Sequence, residues 1–188
     1  MPLTTERSTC PAALTSAVRS AIQSAIQSGI PAPDVAARVA EALSRHLPTP
    51  GRLLTAAQLA GDPAGYQTHP VHVEPDGSFS IAVMVWRPGQ VTPIHDHVSW
   101  CVTGVLAGIE YEEIFTLSPD GGSLTAVTRR QNAPGTVAGF APPGDIHRVR
   151  NSGDGIAVSM HVYGTDLARL GSSIRRVYDL PVDVPAPR

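Results

Sequence analysis

Between residues 11 and 46 the apolar side chains recur at helical spacing. Ala13, Leu14, Val18, Ala21, Ile22 and Ile26 make one set, and after a break at Gly29 and Pro31 a second set follows at Val35, Val39 and Leu43. Apolar positions three and four apart gather on one helix face, and Gly and Pro between two such runs end one helix and start another. The pattern predicts a helical hairpin. Pro33 and Asp34 suit the first turn of its second helix, where proline lacks only an N–H that would be unpaired.

From about Leu53 the texture changes to short apolar runs between Gly, Pro and Asp: VHVEPDGSFSIAVMVW (71–86), CVTGVLAG (101–108), EYEEIFTLSPDGGSLTAV (110–127), GTVAGFAPPGD (135–145) and IHRVRNSGDGIAVSMHVYG (146–164). Regularly spaced short runs of this kind predict strands in a barrel or sandwich. Asp76-Gly77 and Asp120-Gly121-Gly122 are hairpin turns, since Asp and Gly tolerate the positive φ that tight turns need. The end of the chain, LPVDVPAPR, is too polar and proline-rich to pack a core. The expected organisation is a helical N-terminal extension over residues 1–50, a β-barrel over 51–180 and a tail over 181–188.

A chain of 188 residues with 42% hydrophobic content can fill one sizeable core. A formal charge of -2, with no run of Lys or Arg, offers no footprint for a phosphate backbone, so nucleic acid is not an expected partner. No stretch reaches the roughly 18 apolar residues of a membrane span, and the start, MPLTTERSTCPAAL, lacks a basic region leading into an apolar one. The expectation is a soluble, cytoplasmic protein. Its two cysteines, Cys10 and Cys101, make no disulfide framework, which leaves Cys101 free for another role.

The chemistry concentrates in histidines. His95 and His97 flank Asp96 in a segment that reads as a strand, and period two turns both imidazoles to one face. His147 follows about fifty residues later, after Pro142, Pro143 and Gly144, a turn feeding another strand. Brought together, the three would offer a metal three neutral nitrogens and leave positions open. An H-x-H pair by itself is also met at surfaces and in cores, and three histidines suit zinc, nickel or copper as well as iron.

The wider spacing narrows this. Gly89, five residues, His95, one residue, His97, three residues, Cys101, six residues, Gly108, and later Pro142, Gly144, His147 and Asn151, form a two-part pattern that resembles the signature of the cupin superfamily. Its opening glycine in the second part is displaced by one residue, to Gly135. Cupins in general carry a glutamate ligand where this chain has Cys101. With Ser159, His161 and Tyr163 in AVSMHVYG, that cysteine resembles the thiol dioxygenases, which include cysteine dioxygenase and 3-mercaptopropionate dioxygenase, over roughly residues 53–180.

The resemblance implies a cupin double-stranded β-helix, a jelly-roll barrel, carrying the N-terminal helices. It implies Fe(II) on His95, His97 and His147, a Ser159-His161-Tyr163 relay, and a small thiol and O2 as reactants. Alternation along the strand supports the relay independently, since all three side chains point one way. Neutral ligands would keep the ion cationic and receptive to a thiolate, and Tyr163 would donate a hydrogen bond to the reactants, oriented by His161 and Ser159. Cys101 has three readings: a core residue, a partner in a thioether with Tyr163, or a filler of the vacant ligand position. Bacterial members acting on 3-mercaptopropionate commonly have glycine there.

One family feature is missing. Mammalian-type members anchor the substrate carboxylate with an arginine in a Tyr-x-Arg context, whereas this chain reads Tyr66-Gln67-Thr68-His69. A glutamine there resembles the 3-mercaptopropionate group; Gln67 or His69 would give weaker, neutral anchoring, and Arg87 or Arg169 could substitute only if the fold aims them inward. Trp100 is expected to pack, close enough to Cys101 to wall the pocket. His72 reads as an ordinary strand residue, Asp96 as a loop holder facing away from the metal, and Glu110, Glu112 and Glu113 as a solvated strand face. Two rival functions remain at this point: an iron cupin of specialised metabolism acting on a cysteine-like or non-thiol substrate, and a non-catalytic metal- or ligand-binding cupin.

Overall fold

The computed structural model describes residues 10–183; the leader before Cys10 and residues 184–188 of the expected tail lie outside the described residues. The predicted hairpin is present as α1 (Ala12–Gln27) and α2 (Ala32–Ser44). Leu14, Val18, Ile22 and Ala25 bury one stripe of α1, and Val35, Ala36, Val39 and Leu43 one stripe of α2. Ile26 falls off its stripe and is 67% exposed, being one position past Ala25 where each residue turns the helix by about 100°. Gly29 ends α1 at φ +60°, which glycine adopts without strain, and the Ile30 N–H then donates back to the Ala25 carbonyl at 3.3 Å.

A short helix α3 (Ala56–Leu59) leads into the strands β1 (Gln67–Val73), β2 (Ser80–Trp86), β3 (His95–His97), β4 (Cys101–Ala107), β5 (Glu110–Leu117), β6 (Leu124–Asn132), β7 (Val137–Phe140), β8 (His147–Asn151) and β9 (Ala157–Tyr163). A one-turn helix α4 (Leu167–Leu170) then precedes β10 (Ile174–Val177) and β11 (Val182–Asp183). The strands form two sheets, in the orders β1-β2-β9-β4-β7 and β10-β3-β8-β5-β6-β11. These sheets make the jelly roll of the cupin fold, with the helices added at its N-terminal side. The proline-rich end departs from expectation in one respect: Val182–Asp183 pairs with β6, parallel to it.

Every residue of β2 and β9 is buried. Both faces of these strands are covered, and alternation divides their side chains between two environments. Ile81, Val83, Val85, Val158, Met160 and Val162 join the buried stripes of α1 and α2 in one core. The alternate positions turn to the second sheet: Met84, Trp86 and Ala157 pack with Val149 of β8, and Ala82 and Tyr163 with Cys101. The helices press close enough to need small residues beneath them. A side chain at Gly139 would come within 2.9 Å of the Ala36 carbonyl oxygen, and one at Gly104 within 2.7 Å of Leu47.

This outer core supports the site without touching it. Leu43, fully buried under α2, contributes packing alone. Leu43→Ala should lower the unfolding free energy by about 2–5 kcal/mol, as other large-to-small core changes do, with metal affinity unchanged. Urea denaturation beside a metal-binding titration checks it; a loss below about 1 kcal/mol would mean that the helices are not part of the cooperative core.

Candidate metal centre

The three-residue strand β3 carries His95 and His97 inward and Asp96 outward. Asp96 holds the neighbouring chain: it accepts a hydrogen bond from the Tyr178 hydroxyl at 2.8 Å and pairs with the Arg175 guanidinium. His147 opens β8, directly opposite His95 in the antiparallel register. The imidazole centroids lie 4.7–5.0 Å apart. One nitrogen from each ring lies within 4.8 Å of the others, all three side chains being buried.

Which nitrogen is offered follows from what holds the other. His95 Nδ1 faces the Pro93 carbonyl at 3.0 Å, His97 Nδ1 faces Asp145 Oδ2 at 3.1 Å, and His147 Nδ1 faces Glu112 Oε1 at 2.8 Å. Each acceptor has oxygen lone pairs only, so each Nδ1 must be the protonated, donating atom, and each Nε2 keeps its lone pair. Burial, reinforced by the neighbouring His147, pushes His95 down to about 3, and burial lowers His97 as well. Both are therefore neutral ligands near pH 7. Three convergent imidazole nitrogens, with the opposite nitrogen of each ring held by an oxygen acceptor, make a metal site.

Two carboxylates missed in the sequence complete it. Burial raises the Glu112 carboxyl, but the hydrogen bond from His147 and the charge and hydrogen bond of Arg130 outweigh it and hold the group down to about 2. Its Oε2 accepts from Arg130 at 2.7 Å and from Asn132 at 3.3 Å. Asp145 accepts from the His97 backbone N–H as well as the ring, at 3.0 Å. The expected solvated face of β5 is thus corrected: Glu110, Glu112 and Glu113 are 3%, 5% and 8% exposed. β5 lies between β6 and β8, and Glu113, on the outer face, is covered by Arg129 and Arg148. The legible signal was the alternation of EYEEIF, which sets Glu110 and Glu112 on the histidine side.

Opposite the histidines, β9 aims Ser159, His161 and Tyr163 inward. Ser159 Oγ is 2.9 Å from His161 Nε2 and accepts from Trp86 Nε1 at 3.2 Å. His161 and Tyr163 meet as near-parallel rings, centroids 5.9 Å apart at 19°. Cys101 stands in register with Tyr163 on β4, so the two residues that a thioether would join are neighbours. Burial first, then the charges of Glu112 and Asp145, push the Cys101 thiol well up, and it does not belong to the metal-binding group.

Between the sheets the three histidines, His161 and Tyr163 line a cavity of about 240 Å³. Met84, Trp86 and Val149 form its apolar wall, and Tyr66, Thr68, Ser172 and Ser173 its neutral polar rim. Among the described residues no Lys, Arg, Asp or Glu lines it. The other residues singled out for substrate lie elsewhere. Tyr66, Thr68 and Pro70 take the cavity side of β1, so Gln67 and His69 face away, His69 Nδ1 lying 3.4 Å from the Gln58 amide. Arg169 is exposed on α4, and Trp100 packs in the helix-side core, where a side chain at Gly164 would collide with its ring at 2.3 Å. Arg87 is exposed too.

Residues 56–172 match the family described as cysteine dioxygenase type I. Among solved structures, an oxalate oxidase in complex with glycolate is similar at 20% identity and a TM-score of 0.45, over 56% of this chain and 53% of the other. The chain therefore spans about half the length of that relative. A protein from Thermus thermophilus is similar at 25% identity and a TM-score of 0.44, over 60% of this chain and 95% of the other. A cupin 2 conserved barrel domain protein from Salinispora arenicola is similar at 22% and 0.44, over 63% and 89%.

The Glu112 carboxylate sets the tautomer and basicity of His147. Glu112→Gln should weaken metal affinity by about 10–100-fold, while Glu113→Gln, on the other face of the same strand, should leave it unchanged. Chelator competition at pH near 7 reads both; equal affinity in the two variants would remove Glu112 from the site.

Proposed function

Because the chain belongs to the family of type I cysteine dioxygenases, we propose that it is a cytoplasmic non-haem Fe(II) thiol dioxygenase that converts a small thiol, cysteine or 3-mercaptopropionate-like, to its sulfinate. The observation that carries the reading is the set of three unprotonated Nε2 atoms opening into a small cavity faced by His161 and Tyr163. The reaction balances as thiol plus O2 giving sulfinic acid: sulfur loses four electrons, dioxygen gains four, and both oxygen atoms end on sulfur. His95, His97 and His147 would hold the iron, which, when bound, supplies a cationic centre that favours the thiolate over the thiol and brings dioxygen to it.

The chain's own residues do the rest. Met84, Trp86 and Val149 keep the inner wall dry, which strengthens every polar interaction in the cavity. The Tyr163 phenol is raised well above its ordinary value by burial first and by Cys101 next, so it stays protonated and donates a hydrogen bond to the reacting sulfur or oxygen. His161, held by Ser159, walls the cavity beside it. Cys101 packs beneath Tyr163 in place of a fourth ligand and limits its tilt. The substrate's tail meets only neutral groups, Tyr66, Thr68, Ser172 and Ser173, so a carboxylate there is held by hydrogen bonds without an ion pair. A cavity below the roughly 300 Å³ of drug-sized pockets admits only a small thiol.

Iron-loaded protein should consume one O2 per sulfinate formed with at least one of cysteine, cysteamine, 3-mercaptopropionate and mercaptosuccinate, and His147→Ala should lose both iron and activity. Stoichiometric iron without oxygen consumption on any of these thiols would sink the reading.

A further inference from the structure

One part of the cavity lining comes from outside the sheets. Met84, Trp86 and Val149 sit on β2 and β8, each strand lying between two others in its sheet. The segment that follows β9, residues 164–173, also reaches the cavity, yet none of its residues is fully buried. Leu167 is the one apolar side chain that this segment contributes to the lining. The same side chain packs against the buried group of Ala82, Cys101 and Tyr163. It therefore stands between the phenol that faces the metal centre and the outer surface of the protein.

Both backbone polar groups of Leu167 are tied. Its N–H donates to Ser80 Oγ at 3.0 Å, and its carbonyl accepts from the Gly171 N–H at 2.9 Å. Gly171 closes that turn at φ +75°, which glycine adopts without strain. Ser80 opens β2 in register with Tyr163 and is 1% exposed. Its hydroxyl gives its single proton to the Thr165 carbonyl at 2.8 Å while accepting from Leu167. One buried side chain of the sheet thus grips the segment on both sides of Asp166. Asp166 in turn caps α4, Oδ1 accepting from the N–H groups of Ala168 and Arg169 at 2.9 and 3.2 Å. With its backbone held in this way, Leu167 has only its side-chain rotamers left, and packing on Tyr163 chooses among them.

We propose that Leu167 sets the size of ligand that the cavity admits beside the three histidines, and that Ser80 is the positioning residue that keeps Leu167 in place. The walls on β2 and β8 belong to close-packed strands and resist displacement. Room for a bulkier ligand has to come from the surface segment, where Leu167 is the apolar side chain in the way. Shortening it removes bulk without touching a histidine, Tyr163 or the sheets. Removing the Ser80 hydroxyl frees the Leu167 N–H and the Thr165 carbonyl together, so the side chain can swing aside although no lining residue has changed. The size limit applies to any metal ligand; that it confines the substrate to short thiols rests on the thiol reading above.

Visible spectra of the full-length, Co(II)-loaded protein report ligands that join the metal, and imidazole and 4-phenylimidazole offer it the same kind of nitrogen with different bulk. Leu167→Ala should favour 4-phenylimidazole over imidazole by about tenfold or more relative to the native chain, the order that small changes of volume make in an apolar pocket. Ser80→Ala should move that ratio the same way by a smaller factor, whereas a purely structural loss would weaken both probes alike. Leu167→Phe should weaken imidazole itself, and it decides if Leu167→Ala does not fold. An unchanged ratio in Leu167→Ala, or an unchanged imidazole affinity in Leu167→Phe, would overturn the size limit. An unchanged ratio in Ser80→Ala would overturn the positioning role. Neither probe is a thiol, so a protein that oxidises no thiol could still show both effects, and a thiol dioxygenase could still fail here.

Discussion

Three hydrogen bonds on the far side of the imidazoles, from Nδ1 of His95, His97 and His147 to Pro93, Asp145 and Glu112, govern the rest of the structure. They fix the tautomer of each ring, aim each Nε2 at one point and leave those lone pairs free. Without them the same rings could rotate or protonate and would no longer define a site. The demands then spread outward. A carboxylate behind His147 must itself be kept ionised inside a protein, and Arg130 and Asn132 do that for Glu112. Asp145 is kept so by accepting twice from His97, once from the ring and once from the backbone. Accepting hydrogen bonds in this way offsets the cost of burying the charge, and on Asp145 both fall on Oδ2 while Oδ1 is buried without a partner.

The two-sheet architecture supplies what these bonds need. Because α1 and α2 cover the outer face of β2 and β9, the inner positions of those strands are left for chemistry, and alternation delivers Ser159, His161 and Tyr163 to the side facing the histidines. The cavity between is small, apolar on its inner wall and without a cation among its described lining residues. Substrate choice then rests on shape and neutral hydrogen bonds, and the metal would supply the charge. An arginine clamp of the kind that the resemblance to mammalian-type members would imply has no counterpart among the described lining residues.

Much of this was legible in the chain itself. Period two exposed the shared face of His95 and His97 and the common direction of Ser159, His161 and Tyr163, and helical spacing with Gly29 and Pro31 marked the hairpin. What failed was parity and environment. Gln67 and His69 differ from Tyr66 and Thr68 by one position, and a one-residue shift moves a strand side chain to the opposite face. Glu112 and Glu113 look alike as letters, yet one is buried against His147 and the other under two arginines; only the strand order, with β5 inside its sheet, distinguishes either from a solvated face. Arg169 lies exposed on α4, one turn short of the cavity lining, which Ser172 and Ser173 supply instead.

The central claim is that His95, His97 and His147 bind one iron through Nε2 and that Glu112, Asp145 and Cys101 stay outside its coordination sphere. X-ray absorption at the iron edge of the loaded Fe(II) protein measures this directly. The account predicts three imidazole nitrogens, recognisable by outer-ring scattering, with no protein carboxylate and no sulfur in the substrate-free state. Fewer than three imidazoles, or a sulfur from Cys101 at bonding distance, would contradict it.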